Sequence, residues 1–233
     1  MYKLQWFNEN IQYMFRKNIV EYDMQAASLS VSRRYNLLDE NLLIQLENTP
    51  KEKRTVQVGL MQKHDKEFSD KMLSGIIQTR QEFLESNHLN NSNIICLHSD
   101  AVIFEQSCAK IHDKIDCVQF IKKNQWSSYL RYNGIEMYYG DGHIDYKGIP
   151  RESLKYHTLG INKFLLQVFD MIENYDENII PFLRKFQMRY MQDRLPEYYY
   201  IPFGRHGEHK RDNLKLFAFI ANVVLGDMYE QHW

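Results

Sequence analysis

Several things are scarce in this chain, and each scarcity narrows the field. Ten glycines and five prolines in 233 residues leave no low-complexity tract, and no internal repeat is visible, so the sequence predicts compact, ordered structure. The three cysteines, Cys96, Cys108 and Cys117, show neither CxxC spacing nor an even count, and read as reduced thiols of a cytosolic protein. No stretch approaches the roughly 20 apolar residues of a membrane span. The start, Met1-Tyr-Lys-Leu-Gln-Trp6, lacks the charged-then-apolar pattern of a signal peptide. The expectation is therefore a cytoplasmic protein without a membrane partner. P-loop, GxGxxG and GxSxG motifs are absent, and the nine histidines show no HxH or HxxxH spacing, which leaves triad-hydrolase and Rossmann-type readings without support. A formal net charge of -1 gives no global field for a polyanion, so any such site must be a local patch.

What the chain does have is core-forming material: 44% hydrophobic residues, with 16 Tyr and 13 Phe. Residues 18 to 24 read as a strand and 25 to 36 as a helix. A helix over 39 to 48 has Asp39 as its N-cap, Thr49-Pro50 breaks it, and a basic helix follows over 51 to 63. From Asp65 to Asn87, Phe68, Met72, Ile76, Ile77, Phe83 and Leu84 recur at helical spacing, with Gly75 permitting close packing. The period then changes to strand over 93 to 105, with Asp100 at a bend. Four further β-segments lie between 115 and 147, and Asn133-Gly134 and Asp141-Gly142 mark hairpin turns. After Pro150, helices are predicted over 151 to 174, 178 to 193 and 211 to 230. Strand, helices, antiparallel sheet, helices is an α+β order rather than a doubly wound one. The domain reading is 1–150, with a helical insertion at about 39–90, followed by a C-terminal helical region over 151–233.

Two segments carry chemistry. Ile19-Val-Glu-Tyr-Asp-Met24 and Ile94-Ile-Cys-Leu-His-Ser-Asp-Ala-Val-Ile-Phe104 are apolar runs of high β-propensity, interrupted by Asp23 and Asp100. An acid in an apolar strand costs free energy unless it is paired, protonated or metal-bound. Side by side in one sheet, the two would present a pair of carboxylates to a divalent cation, as two-metal phosphoryl transfer requires.

In order and spacing these segments resemble the palm of family B (replicative-type) DNA polymerases. Asp23-Met-Gln-Ala-Ala-Ser-Leu-Ser30 resembles the family's first palm motif. Leu97-His-Ser-Asp-Ala-Val-Ile-Phe104 resembles its metal-binding hairpin, and Phe120-Ile-Lys-Lys-Asn-Gln-Trp126 and Ile144-Asp-Tyr-Lys-Gly-Ile149 its later Lys-rich and Lys-Gly segments. The resemblance covers roughly residues 18 to 155. It implies a palm-like antiparallel sheet, a thumb-like helical region, and a nucleotidyltransferase of viral or phage-encoded class, acting on a primer-template or a single strand. It implies Asp23 and Asp100 as the catalytic, metal-binding pair for Mg²⁺ or Mn²⁺. Arg54, Lys51 and Lys63 would grip a nucleoside triphosphate, with Ser28 beside its sugar. Lys122, Lys123, Trp126, Lys147 and Arg151 would contact nucleic acid.

The sequence departs from that family at His98, which replaces an acid of the hairpin, at Ser28, which replaces a tyrosine, and in having no recognisable fingers helix. These departures support rival readings: a palm-derived nucleic-acid-binding or replication/transcription accessory protein with a protein partner, or a viral structural or assembly protein. Each acid alone also has a plain structural reading, Asp23 as a helix cap and Asp100 as an ordinary turn residue. Pro202 to Arg211 reads as a solvated basic loop. Tyr198 to Tyr200 reads as aromatic packing, and the apolar stripes at 164–172 and 182–191 as core.

Overall fold

The computed structural model describes residues 4–107, 110–204 and 213–230. In chain order the elements are β1 (Gln5–Phe7), β2 (Tyr13–Met14), β3 (Ile19–Met24), α1 (Ala27–Arg34), α2 (Glu40–Glu47), α3 (Lys51–His64), α4 (Lys66–Ser86), β4 (Ile94–His98), β5 (Ala101–Glu105), β6 (Lys114–Ile115), β7 (Val118–Trp126), β8 (Ser128–Tyr132), β9 (Ile135–Gly140), β10 (His143–Lys147), α5 (Arg151–Glu173), α6 (Ile179–Met191) and α7 (Leu214–Glu230). The class is α+β, as the element order predicts. Among the described residues no helix is long and apolar enough to cross a membrane.

Backbone contacts divide the chain into two compact units, Met1–Glu9 with Ile19–Gln125, and Asn10–Asn18 with Trp126–Trp233. The division falls at Gln125 rather than at 150. The β8–β10 meander makes its own sheet with β2 and shares a core with the C-terminal helices, so it belongs to the second unit.

The first unit is built on a six-stranded sheet in the order β1-β4-β5-β3-β7-β6. Alternation along β3 sends Val20, Tyr22 and Met24 to one face, where they meet Val102 and Phe104 of the antiparallel neighbour β5. The long helix α4 covers that face: Phe83 stacks on Phe120 at 4.1 Å, and Met72 and Leu84 are buried with it. α1 lies against α4 at Gly75, where a Cβ would come within 2.6 Å of Val31 Cγ1 and 2.9 Å of Tyr35 Cδ2. The caps are local and legible. Asp39 Oδ1 accepts from Leu42 N–H at the start of α2 (3.0 Å), and Asp65 Oδ1 from Phe68 N–H at the start of α4 (2.9 Å).

The second unit packs its four-stranded sheet, β10-β9-β8-β2, against α5, α6 and α7. Both of its tight hairpins turn through left-handed backbone, at Asn133-Gly134 (φ 50° and 79°) and Asp141-Gly142 (φ 51° and 74°). The core is dense in rings. Phe164 lies 4.3 Å from Phe186 and 5.0 Å from Phe217, and Tyr139 stacks on Phe169 at 5.1 Å. A short 3-10 turn, Glu197–Tyr200, follows α6; Tyr200 stacks on Tyr190 at 4.6 Å and Tyr199 meets Phe186 edge-on, so these tyrosines are packing residues. The basic residues Arg205 to Arg211 lie outside the described residues.

Candidate functional site

β3 ends at Met24, and the chain reverses into α1 through Ala26, which takes left-handed backbone (φ 47°). Gln25 N–H donates to Gln119 O (2.8 Å), pinning this corner to β7. α1 begins with no side-chain cap and no acid in its first turn, so its leading N–H groups keep their partial positive charge.

The second corner is the β4–β5 hairpin. His98 pairs with Ala101, so Ser99 and Asp100 form the whole turn, with Ser99 in left-handed backbone (φ 52°). Ser99 N–H donates to Leu4 O (3.0 Å). Arg80 of α4, only 1% exposed, donates from one guanidinium nitrogen to Leu4 O (2.9 Å) and to Ser99 O. A buried cation therefore holds the Asp100 turn by its main chain. Burial pushes the Arg80 pKa down to about 10 while the Asp100 charge opposes that shift, so the guanidinium stays protonated at neutral pH.

The pairing register brings the two acids together. Asp23 lies opposite Ala101 across β3 and β5, and Met24 N–H donates to Asp100 O (3.2 Å). The two carboxyls share a hydrogen bond. Burial raises the Asp100 pKa to about 6, the Asp23 charge and that hydrogen bond push it the same way, and Lys123 acts against them. Asp23 also accepts an ion pair from Lys123 of β7, with Nζ 3.4 Å from Oδ2. Glu21, two residues earlier on the same face of β3, is 9% exposed and accepts from Asn124 Nδ2 (2.6 Å).

This acid pair lines a cleft of about 710 Å³ whose other walls are the first turn of α1, Lys123 of β7, and Lys51 and Arg54 of α3. The volume lies in the range of small-molecule sites, roughly 300–1,000 Å³. Arg33, also on the wall, is held by Glu47 (2.7 Å) with Glu40 at 3.6 Å. Carboxylate oxygens are the donors that Mg²⁺ and Mn²⁺ prefer. Two carboxyls that interact with each other and open to a cleft match such an ion in donor chemistry.

Of the residues singled out from sequence, Asp23, Asp100, Ser28, Lys51, Arg54 and Lys123 meet in this cleft. Lys63 does not line it. It sits exposed on the last turn of α3, nine residues or about 2.5 turns from Arg54 and hence on the opposite face. Lys122 is exposed and donates to Gln125 Oε1 (2.6 Å). Trp126 differs from expectation: it is 3% exposed, packs on Tyr138 at 4.5 Å, and gives its indole N–H to Asp145 (2.8 Å), so its ring is core rather than a surface for stacking a base. Lys147 lies over the rings of Trp126 and Tyr138, at 5.8 and 5.5 Å. Arg151 starts α5, and its side chain lies outside the described residues. Sequence reasoning missed Arg80 and Glu21. A lone arginine on a long amphipathic helix reads as solvated, and only tertiary contacts show it buried.

A family model described as "Bacteriophage PBS1 gene 130 protein" matches residues 1–213. No curated protein matches the chain.

Proposed function

Since this chain belongs to the Bacteriophage PBS1 gene 130 protein family, we propose that it is a phage nucleotidyltransferase of DNA-polymerase-like type, using a divalent cation at Asp23 and Asp100. One observation carries this reading: the carboxyl at the end of β3 and the carboxyl of the adjoining β4–β5 turn hydrogen-bond to each other in a cleft walled by Lys51, Arg54, Lys123 and an uncapped helix start. Clustered like charges in a cleft are costly to folding and are found at sites of chemistry.

Asp23 and Asp100 would hold Mg²⁺ or Mn²⁺, which supplies charge neutralisation and a lowered pKa for a hydroxyl nucleophile. The chain's own part is positioning and electrostatics, the main needs of phosphoryl transfer. Arg54 offers a planar, two-pronged grip on a triphosphate, Lys51 a point charge, and the α1 N–H groups a neutral cradle. Ser28 is small and leaves the sugar's 2′ side open. Lys122, Lys147 and Arg151 are the remaining candidates for nucleic-acid backbone contacts, which weaken with salt. The host cytoplasm is the compartment in which such a protein would act.

Primer extension with Mn²⁺ and all eight nucleotides, wild type beside Asp100→Asn, tests the reading. The expected result is incorporation by the wild type, with comparable efficiency for ribo- and deoxynucleotides, and none by Asp100→Asn. No incorporation by a folded wild type would remove it. A second reading, a non-catalytic nucleic-acid-binding accessory or an assembly protein with a protein partner, is favoured by His98 and by the cation that Asp23 already has in Lys123. An accessory binder keeps its nucleic-acid affinity after Asp23→Asn and Asp100→Asn. An assembly protein binds neither cation nor nucleic acid and self-associates.

A further inference from the structure

The cleft answers its acids with its own cations. Asp23 faces the Lys123 ammonium at 3.4 Å, Asp100 leans on Asp23, and the nearby Arg80 guanidinium is fixed on main-chain carbonyls. The two cations differ in freedom. Arg80 is 1% exposed and donates to Leu4 and Ser99 carbonyls, so it cannot leave. The Lys123 side chain is 43% exposed, on a long flexible stem, and its partner Asp23 is 25% exposed. Exposed pairs of this kind hold weakly and exchange readily.

We propose that Lys123 is a built-in placeholder for the divalent cation: its ammonium pairs with Asp23, and gives up that carboxylate when the ion binds. The inference rests on reading Asp23 and Asp100 as a cation site. It follows from electrostatics, because a divalent ion at Asp23 and an ammonium at the same carboxylate repel each other. The displaced ammonium has the cleft to swing into, since Lys123 lines it beside Lys51 and Arg54. There it adds a third movable positive charge for a phosphate group. Binding of cation and anion is thereby linked. The cation frees the lysine that the anion uses, and the anion holds that lysine away from the cation's carboxylate.

The test is calorimetric titration of the full chain with Mn²⁺ alone, and with Mn²⁺ after saturation with inorganic pyrophosphate, for wild type, Lys123→Met, Lys123→Arg and Asp100→Asn. Circular dichroism checks each fold; Lys123 is exposed, so Met and Arg should be tolerated. Lys123→Met should bind Mn²⁺ alone about three- to tenfold more tightly, the scale of removing one charge a few ångströms away in a solvated site. Pyrophosphate should tighten Mn²⁺ binding in the wild type by more than it does in Lys123→Met. Lys123→Arg keeps the charge and should behave as the wild type. Equal or weaker Mn²⁺ binding by Lys123→Met overturns the placeholder. If Asp100→Asn abolishes Mn²⁺ binding in that case, the cation site itself still stands. Binding unaffected by Asp100→Asn, or absent from every protein, overturns the site and the placeholder together.

Discussion

The Asp23–Asp100 pair of the first unit and the acids of the second unit are held in opposite ways. In the second unit Asp145, Asp170, Glu173 and Asp227 each have a donor of their own. Asp227 takes both oxygens to Arg16 (2.8 and 2.6 Å), Asp145 accepts from Trp126, Glu173 from Ser128, and Asp170 from Tyr139. In the first unit Asp23 and Asp100 are set against each other, and one is driven towards protonation. The second arrangement is how a fold satisfies a charge it needs for structure. The first lowers stability, and folding alone gives no reason to keep it.

Mutations can break this contrast, the largest effect coming from the aromatic core. Phe164→Ala, at a 2% exposed ring ringed by other rings, should cost about 4 kcal/mol in urea unfolding. It should leave Mn²⁺ binding at the first unit's cleft unchanged wherever the protein remains folded. Next, Asp227→Ala leaves the Arg16 guanidinium partly buried with the Ile172 carbonyl as its one remaining hydrogen-bond acceptor among the described residues, and should destabilise by about 2–3 kcal/mol.

The same kind of change in the first unit should have the opposite sign. The folded-state pKa of Asp100, about 6, lies above its ordinary 3.8, so the folded protein binds more protons than the unfolded one in between. Wild-type stability without metal therefore falls as pH rises from 4 through 6. Asp100→Asn escapes that loss. In EDTA it should match wild type near pH 4 and exceed it by about 2 kcal/mol at pH 8. A destabilised Asp100→Asn at pH 8 would place Asp100 with the structural acids of the second unit and erase the contrast. The smallest effect is at Gly75, where Ala gains helix propensity but meets Val31 and Tyr35; a net loss of about 1 kcal/mol in thermal unfolding is expected.

Periodicity and turn chemistry located the long elements because those signals are local. The α4 stripe, the Asp39 cap, the two Asx-Gly turns and the bend at Asp100 each declare themselves within a few residues. β1, β2 and β6 were invisible because two or three residues have no period; β1 and β2 exist only through their partners β4 and β8. The acid pair was legible as two odd residues in two apolar strands, but their meeting depends on the Asp23–Ala101 register, which is tertiary. Lys51 and Lys63 looked equivalent as a basic run, and helix geometry separates them. Trp126 looked like a surface ring because no local signal reports that Asp145 takes its N–H.

The Arg80 latch has a consequence for how this fold tolerates change over generations. Its guanidinium grips the carbonyl oxygens of Leu4 and Ser99, not their side chains. Any residue that keeps the backbone path can stand at position 4, and at position 99 those that accept left-handed backbone, glycine and asparagine foremost. Those two positions can drift without moving Asp100. Position 80 has no such freedom, since its side chain must carry a donor on a stem long enough to reach both carbonyls from inside the core, and a shorter or apolar residue would leave them without it. A lineage that drifted at position 80 would lose the placement of its acid pair, although residue 80 itself is buried away from the cleft's solvent.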